Sequence, residues 1–367
     1  MKFSLCMIVK NEAAVIRDCL DSLKDVMDEI IIVDTGSTDD TKKIAGEYTS
    51  NIYDYTWQDD FAAARNFAFS KATGDYIYSA DADEVLDKEN QKKLKALKRA
   101  MLPEVEIVQI IYVTEQLNHP TENFKRDLRP KIYKRIRTFN WIEPIHETVN
   151  LEPIVFDSDI EVIHRPQGNH SSRDFGVFEK IIEEKGMLSD RLAGMYLREL
   201  YKAGTEEELK KAQKYFEEAL VIKRAEGKGL LCRQIIAVLL RAYRQFDDPV
   251  RMLKVALSQE ATVPSAEICM ELGYFFVKKK DYEEAEEWFR RAAFDCESDI
   301  DVASSGTSAF MALALCCRKL LKSPKIRALP KKEQELECIR LTEQAAEYEQ
   351  MARNWKPVEP RFAQEQL

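Results

Sequence analysis

Residues 29–34 read EIIIVD, a near-continuous apolar run without polar alternation. A strand of that kind is buried on both faces, as in a parallel sheet covered by helices. The segments around it agree. FSLCMIV is a first strand run, and from Asn11 to Leu23 apolar residues recur at helical spacing, at Ala14, Val15, Cys19 or Leu20, and Leu23. TGSTDDTKKIAGEY opens with turn and cap residues and continues as a helix. SNIYDY is a third short strand, DDFAAARNFAFSKATG a helix ended by Gly74, and DYIYSA a fourth strand. Strand–helix–strand repetition implies right-handed crossovers and a mostly parallel sheet with helices on both faces.

Beyond this stretch the pattern changes. EVEIVQIIYVTEQ (104–116), LRPKIYKRI (128–136), WIEPIHETVNL and SDIEVIHRP are strand-like, with no long helix between them. The expectation is a mixed sheet whose later strands close over the carboxyl edge. From about residue 173 the chain reads as nearly all helix, and an internal repeat emerges. Ala212, Phe216 and Ala219 correspond to Ala285, Phe289 and Ala292, 73 positions on, and midway Leu253 and Ala256 take the large and small positions. Two periods of about 34–37 residues suit tetratricopeptide repeats, in which small residues sit at the helix contacts. A generic helical bundle is the plainer reading. The expected division is residues 1–172, an α/β unit, and 173–367, an all-α tetratricopeptide-like repeat domain.

Residues 76–87, YIYSADADEVLD, place Asp81 and Asp83 one residue apart at the end of a buried strand, with Glu84 next. Clustered carboxylates repel each other and lose hydration there. Either something positive sits between them, or the segment is a solvated turn. Open α/β sheets bind ligands at this edge, and two carboxylates suit a hard divalent cation, Mg²⁺ or Mn²⁺. Alone, such a triplet is a weak signal. VDTGSTDDT strengthens it, because Asp34 ends the second strand and can accept from a nucleobase N–H or ribose hydroxyls, with Thr35, Gly36, Ser37 and Thr38 opening the next helix. Asp39 reads as either a helix cap or part of that site. IVKNE follows the first strand, and WQDDFAAARN sets Arg65 and Asn66 on the helix leading to the fourth.

Composition removes other classes. A net charge of −9 and a pI near 5.3 argue against a nucleic-acid footprint. No apolar stretch is long enough to span a membrane, and the first residues fail as a signal peptide because Lys10, Asn11 and Glu12 interrupt them. Eight cysteines without a CxxC read as reduced, buried thiols of a cytoplasmic protein, and the four histidines lack zinc spacing.

CMIVKNE, EIIIVDTGSTDDT, DDFAAARNFA and YSADADEVL, in that order, resemble the nucleotide-sugar-binding half of an inverting family-2 glycosyltransferase with the GT-A fold. RPKIYKR…FNWIEPIHETV resembles the acceptor-side segment of the same family, usually an iHE motif. The resemblance covers roughly residues 1–165. Some members carry a C-terminal tetratricopeptide region, and the narrower likeness is to peptide S- or O-glycosyltransferases of bacterial secreted peptides. The resemblance implies that Val9, Lys10, Asn11 and Glu12 border the nucleotide, that Asp34 contacts uracil or ribose, and that Gly36, Ser37, Asn66 and Ala82 belong to the same site. It implies that Arg65 fixes the base-binding acidic groups, that Asp81 lies near the ribose and sugar, and that Asp83 ligates Mn²⁺ or Mg²⁺, with Asp81 and His164 as further ligands.

The chain departs from many members in lacking an acidic pair of the TED type. The base candidates are Glu147, favoured because it closes the HE pair, His146 and Glu143. A thiol acceptor would need a base less, since thiols ionise at about pH 8.5. Arg129 and Arg135 read as phosphate or acceptor ligands or as a basic strand edge, and Trp57 and Trp141 as sugar platforms or core. His164 is alternatively structural; His119 and His170 receive no role. The expected function is metal-dependent, inverting transfer of a hexose from a UDP-sugar to a peptide, protein or glycan acceptor, with a homodimer through the helical repeats as a further expectation. A nucleotidyltransferase would carry a Gly-rich loop where this chain has VKNEAAV. A scaffold with a degenerate transferase domain would show no metal-dependent nucleotide binding.

Overall fold

The structure is a computed structural model describing residues 1–114, 124–137, 139–146, 148–149, 153–165, 171–257 and 264–357, with the backbone alone for 171–174. The chain divides into two compact units, one ending at Val177 and the next beginning at Phe178.

In the first unit, the apolar runs form β1 (Phe3–Val9), β2 (Glu29–Asp34) and β4 (Tyr76–Ala80), with β3 (Ile52–Asp54) beside β2. These four pair in parallel in the order β3-β2-β1-β4. Both faces of β1 are covered. Phe3, Leu5 and Met7 join Ile16, Leu20, Leu23 and Leu94 in one cluster, and Cys6 joins Ile31, Val33, Ala68 and Ile77 in another. The first cluster draws on α1 (Ile16–Leu23) and α4 (Lys88–Ala100), the second on α3 (Phe61–Lys71); α2 (Thr41–Ala45) follows β2. Burial on both sides is why these strands carry no alternation.

The sheet then turns mixed, as expected. β7 (Arg126–Lys134) runs antiparallel to β4 and to β6 (Ile107–Thr114), β10 (Val155–His164) is parallel to β6, and β5 (Glu84–Val85) closes the edge antiparallel to β10. Two expectations are corrected. WIEPIHETVNL contributes only β8 (Trp141–Ile142) and β9 (Thr148–Val149), which pair with each other outside the main sheet. The first helix starts at Ile16, not Asn11, because Asn11 has φ 57° and a turn closes on the Glu12 carbonyl.

From Ser171 the chain is helical: α5 (Ser171–Lys185), α6 (Asp190–Ala203), α7 (Glu206–Ala225), α8 (Gly229–Gln245), α9 (Pro249–Ala256), α10 (Ala266–Lys279), α11 (Tyr282–Phe294), α12 (Thr307–Leu320), α13 (Pro324–Arg327) and α14 (Lys331–Asn354). Among the described residues no helix is long and apolar enough to cross a membrane. The repeat positions Ala212, Phe216, Ala219, Ala285, Phe289 and Ala292 are all buried. The middle correspondence is corrected: Leu253 is 39% exposed, and Met252 fills the core instead. Helix α9 starts at Pro249, which leaves Met252 on its inward face. The thiols are free, but Cys296 and Cys338 are partly exposed rather than buried.

Gly273 shows how tightly α10 and α11 approach, since a methyl group on it would overlap the Phe289 ring. Gly273→Ala is therefore expected to destabilise the helical unit by about 1–3 kcal/mol, the usual cost of overpacking. A thermal melt of the variant checks this, and an unchanged midpoint would refute the close approach.

Candidate active site

Parallel pairing brings the strand ends into line. Val9 lies opposite Asp34, Asp34 opposite Asp54, and Met7 opposite Ala80. The segments that follow β1, β2 and β4 therefore share one carboxyl edge.

After β4 the chain turns, with the Glu84 N–H donating to the Asp81 carbonyl at 3.2 Å. Something positive does sit among the carboxylates, and the protein supplies it. Arg65 Nη2 donates to Asp81 Oδ1 at 3.0 Å, while its Nη1 donates to Ser79 Oγ at 2.9 Å. Lys131 Nζ, from β7, donates to Glu84 Oε1 and lies 3.7 Å from Asp81 Oδ2. Lys131 and Glu84 are deeply buried, with side chains 8% and 1% exposed, whereas that of Asp81 is 41% exposed. Burial alone would raise the Asp81 carboxyl, but Arg65 and Lys131 hold it well below the usual carboxylate range. Glu84 is pushed up to about 7 by burial, reinforced by Asp81 and Asp83 and opposed by Lys131.

Asp83 is arranged differently. β5 pairs with β10 so that Glu84 faces His164, and His164 Nε2 stands 3.1 Å from Asp83 Oδ2. The Arg165 N–H donates to the Asp83 carbonyl at 3.0 Å. The His164 ring faces Tyr112 with centroids 5.0 Å apart, and the Arg129 guanidinium lies 3.8 Å from the Tyr112 centroid. Burial raises the Tyr112 hydroxyl pKa. Among the described residues no group of three or more His, Cys, Asp or Glu is placed to hold a metal. Of the three expected ligands, the structure brings Asp83 and His164 together and engages Asp81 with the two cations. A carboxylate oxygen beside an imidazole nitrogen supplies two donors, of which the carboxylate suits Mn²⁺ or Mg²⁺ and the imidazole suits a transition metal such as Mn²⁺ better than Mg²⁺.

The second element of the edge is the β2–α2 loop. Asp34 is buried. Its Oδ1 accepts from the Gly36 and Ser37 N–H groups at 3.0 and 2.9 Å, while its Oδ2 is buried with no hydrogen-bond partner in the described protein. Buried carboxylate oxygens are nearly always hydrogen-bonded, so this one asks for a donor from a ligand. The post-β1 segment is laced to the same loop. The Asn11 N–H donates to Ser37 Oγ at 2.9 Å, the Thr38 N–H to Asn11 Oδ1 at 2.8 Å, and the Glu12 N–H to Thr41 Oγ1 at 2.7 Å. Asp39 is part of this lacing, accepting from the Thr41 and Ala13 N–H groups at 3.0 and 3.1 Å. Lys10 is exposed beside the loop. Val9 and Ala82 are buried, and the Val9 carbonyl accepts from the Thr35 N–H.

The third element is the loop after β8. Asn66 clamps it: Nδ2 donates to the Trp141 carbonyl at 2.9 Å and Oδ1 accepts from the Trp141 N–H at 2.7 Å. Both ends of that amide thus position β8. The Phe61 N–H donates to the Pro144 carbonyl at 2.9 Å, and Glu143 and His146 take positive φ of 70° and 46°. Side-chain-bearing residues rarely hold that conformation without a local reason. Glu147, His119 and His170 lie outside the described residues. Trp141 is core, packed with Phe69 and Tyr133, and Arg65 lies 5.2 Å from its ring. Trp57 pairs with Phe61 and donates to Asp59. Arg135 Nε donates to the Gly74 carbonyl at 2.5 Å. The residue that sequence reasoning passed over is Lys131. It sits where β7 shifts register against β6, between the paired Pro130 and Ile132, so alternation along the strand gave no signal for its burial beside Glu84.

Residues 4–150 match the family model described as Glycosyl transferase family 2. The chain is 38% identical over 147 residues to the TPR repeat-containing protein Synpcc7942_0270 of Synechococcus elongatus, covering 40% of this chain and 35% of that protein. It is 33% identical over 156 residues to glycosyltransferase SunS of Bacillus phage SPbeta, covering 40% of this chain and 37% of that protein. The chain thus spans little more than a third of these relatives' own lengths. The crystal structure of S. aureus TarS 1-349 superposes with a TM-score of 0.36 at 15% identity, covering 79% of this chain and 92% of that one.

Proposed function

We propose that this chain, whose residues 4–150 match the family model described as Glycosyl transferase family 2, is a metal-dependent, inverting glycosyltransferase. It moves a hexose from a UDP-sugar to a peptide, protein or glycan acceptor. The observation that carries the reading is the pairing, at one carboxyl edge, of a buried Asp34 oxygen lacking a donor with an Asp83–His164 pair 3.1 Å apart.

In this reading Asp34 Oδ2 accepts the ring N–H of uracil, and the laced 9–12 and 36–38 segments border the nucleotide. Asp81, held ionised by Arg65 and Lys131, faces the ribose and sugar. Asp83 and His164 hold Mn²⁺ or Mg²⁺, which when bound neutralises charge developing on the departing diphosphate. The acceptor attacks the anomeric carbon from the opposite face, which inverts its configuration. His146 or Glu147, from the loop clamped by Asn66, takes the acceptor proton. Residues 1–172 form the catalytic domain. Residues 173–367 form a tetratricopeptide-like domain that reads the acceptor or docks a second copy in a homodimer. The enzyme works in the cytoplasm.

Calorimetric titration of UDP with Mn²⁺, with Mg²⁺ and with a chelator tests the reading. Expected is binding that weakens roughly tenfold or more on chelation. A panel of UDP-sugars then identifies the donor. Absence of UDP binding in every condition would overturn the proposal.

A further inference from the structure

The helical unit contains a pair of thiols in contact. Cys269 lies on α10, buried among Ala285, Phe289, Ala292 and Leu313. Cys296 follows the end of α11 and is partly exposed. Their sulfurs are 3.7 Å apart.

The contact is fixed from both sides. The Ala266 N–H, at the start of α10, donates to the Glu297 carbonyl at 2.9 Å. The buried Glu267 carboxylate accepts from the N–H groups of Asp299, Ile300 and Asp301 at 3.1, 2.9 and 2.9 Å. The segment after α11 is therefore pinned along α10 by bonds within a few residues of each cysteine. The other thiols are placed differently. Cys6 and Cys19 donate to the backbone carbonyls of Ala68 and Asp81, and burial pushes up the thiols of Cys6, Cys19, Cys316 and Cys317.

We infer that Cys269 and Cys296 form a redox modification site, oxidised to an internal disulfide by a low-molecular-weight disulfide such as glutathione disulfide. The sulfurs, 3.7 Å apart, have to close to about 2.05 Å to bond. The roles are unequal. Cys296 is partly exposed whereas Cys269 is buried, so the disulfide reaches Cys296 first and Cys296 is the attacking thiolate, a role the hydrogen bond from Cys269 and the cation of Arg291 favour. It displaces one glutathione thiolate and forms a mixed disulfide. Cys269 then loses its proton, attacks the Cys296 sulfur and expels the second glutathione thiolate. Two protein thiols and one disulfide become one protein disulfide and two glutathione thiols. The product ties α10 to the segment beyond α11 and closes the hairpin between them.

The full chain is incubated with glutathione disulfide, alkylated and mapped by mass spectrometry. In the native chain, two titratable thiols are expected to disappear, with a Cys269–Cys296 cross-link and no retained glutathione. Closing that loop should raise the melting midpoint of the helical unit by about 5 °C or more. Cys296→Ser should lose no thiols. Cys269→Ala should trap one glutathione on Cys296, a signature that a merely structural pair would not give. No thiol loss in the native chain, a persistent adduct without a cross-link, or a cross-link between other cysteines would each overturn the inference.

Discussion

Asp83→Ala is expected to abolish the metal dependence of UDP binding and to lower turnover by about 10³-fold or more. Where Asp81 is engaged by Arg65 and Lys131, Asp83 Oδ2 faces His164 Nε2 at 3.1 Å. Removing it leaves an imidazole alone, too few donors to hold a hard cation against water. The fold should survive, because the turn is held by backbone bonds, from the Glu84 N–H to the Asp81 carbonyl and from the Arg165 N–H to the Asp83 carbonyl. Calorimetry with and without Mn²⁺, beside a thermal melt, separates the two effects. Unchanged Mn²⁺ dependence in the variant would show that the metal, if any, is held elsewhere. Asp81→Ala makes an informative contrast. It removes the counter-ion of Arg65 and one neighbour of Lys131, so it should disturb the geometry of the site while leaving Asp83 and His164 in place.

Lys131→Ala is expected to destabilise the first unit by about 3–5 kcal/mol. The lysine is the cation in contact with Glu84, which is fully buried and lies close to Asp81 and Asp83. Without it the Glu84 carboxyl, already pushed up to about 7 beside Asp81 and Asp83, would lose the group that holds it down and would have to take up a proton in the core. For a unit of this size the melting midpoint should fall by roughly 10 °C. The double variant Lys131→Met with Glu84→Gln should recover much of the loss, since removing both charges is far cheaper than removing one. A double-mutant cycle measures the coupling directly. A silent Lys131→Ala would mean that the Glu84 carboxylate draws its stability from another group.

The α/β unit was legible because its physics is local. Strands buried on both faces must be apolar throughout, so EIIIVD and YIYSA announced a covered parallel sheet, and the residues after them had to lie at its carboxyl edge. The WIEPIHETVNL segment misled because its apolar residues serve a loop. Trp141 is buried against Phe69 and Tyr133, and the backbone is held by Asn66 rather than by a long ladder. Leu253 misled in the same way, since a repeat pattern specifies spacing, whereas the helix start at Pro249 decides which residue faces inward.

By itself, then, the sequence determined the strand–helix alternation through YIYSA, the carboxyl edge where Asp34, Asp81 and Asp83 collect, and the family resemblance of that edge. It also posed the question of what offsets three carboxylates at a strand end. Only the tertiary structure answered it. Arg65 lies 16 residues before Asp81, and Lys131 lies 47 residues after Glu84 on an antiparallel strand. His164 reaches Asp83 only because β10 pairs with β5. Charge compensation acts over a few ångströms through space and leaves no periodicity along the chain, so which cation meets which carboxylate is decided by strand pairing.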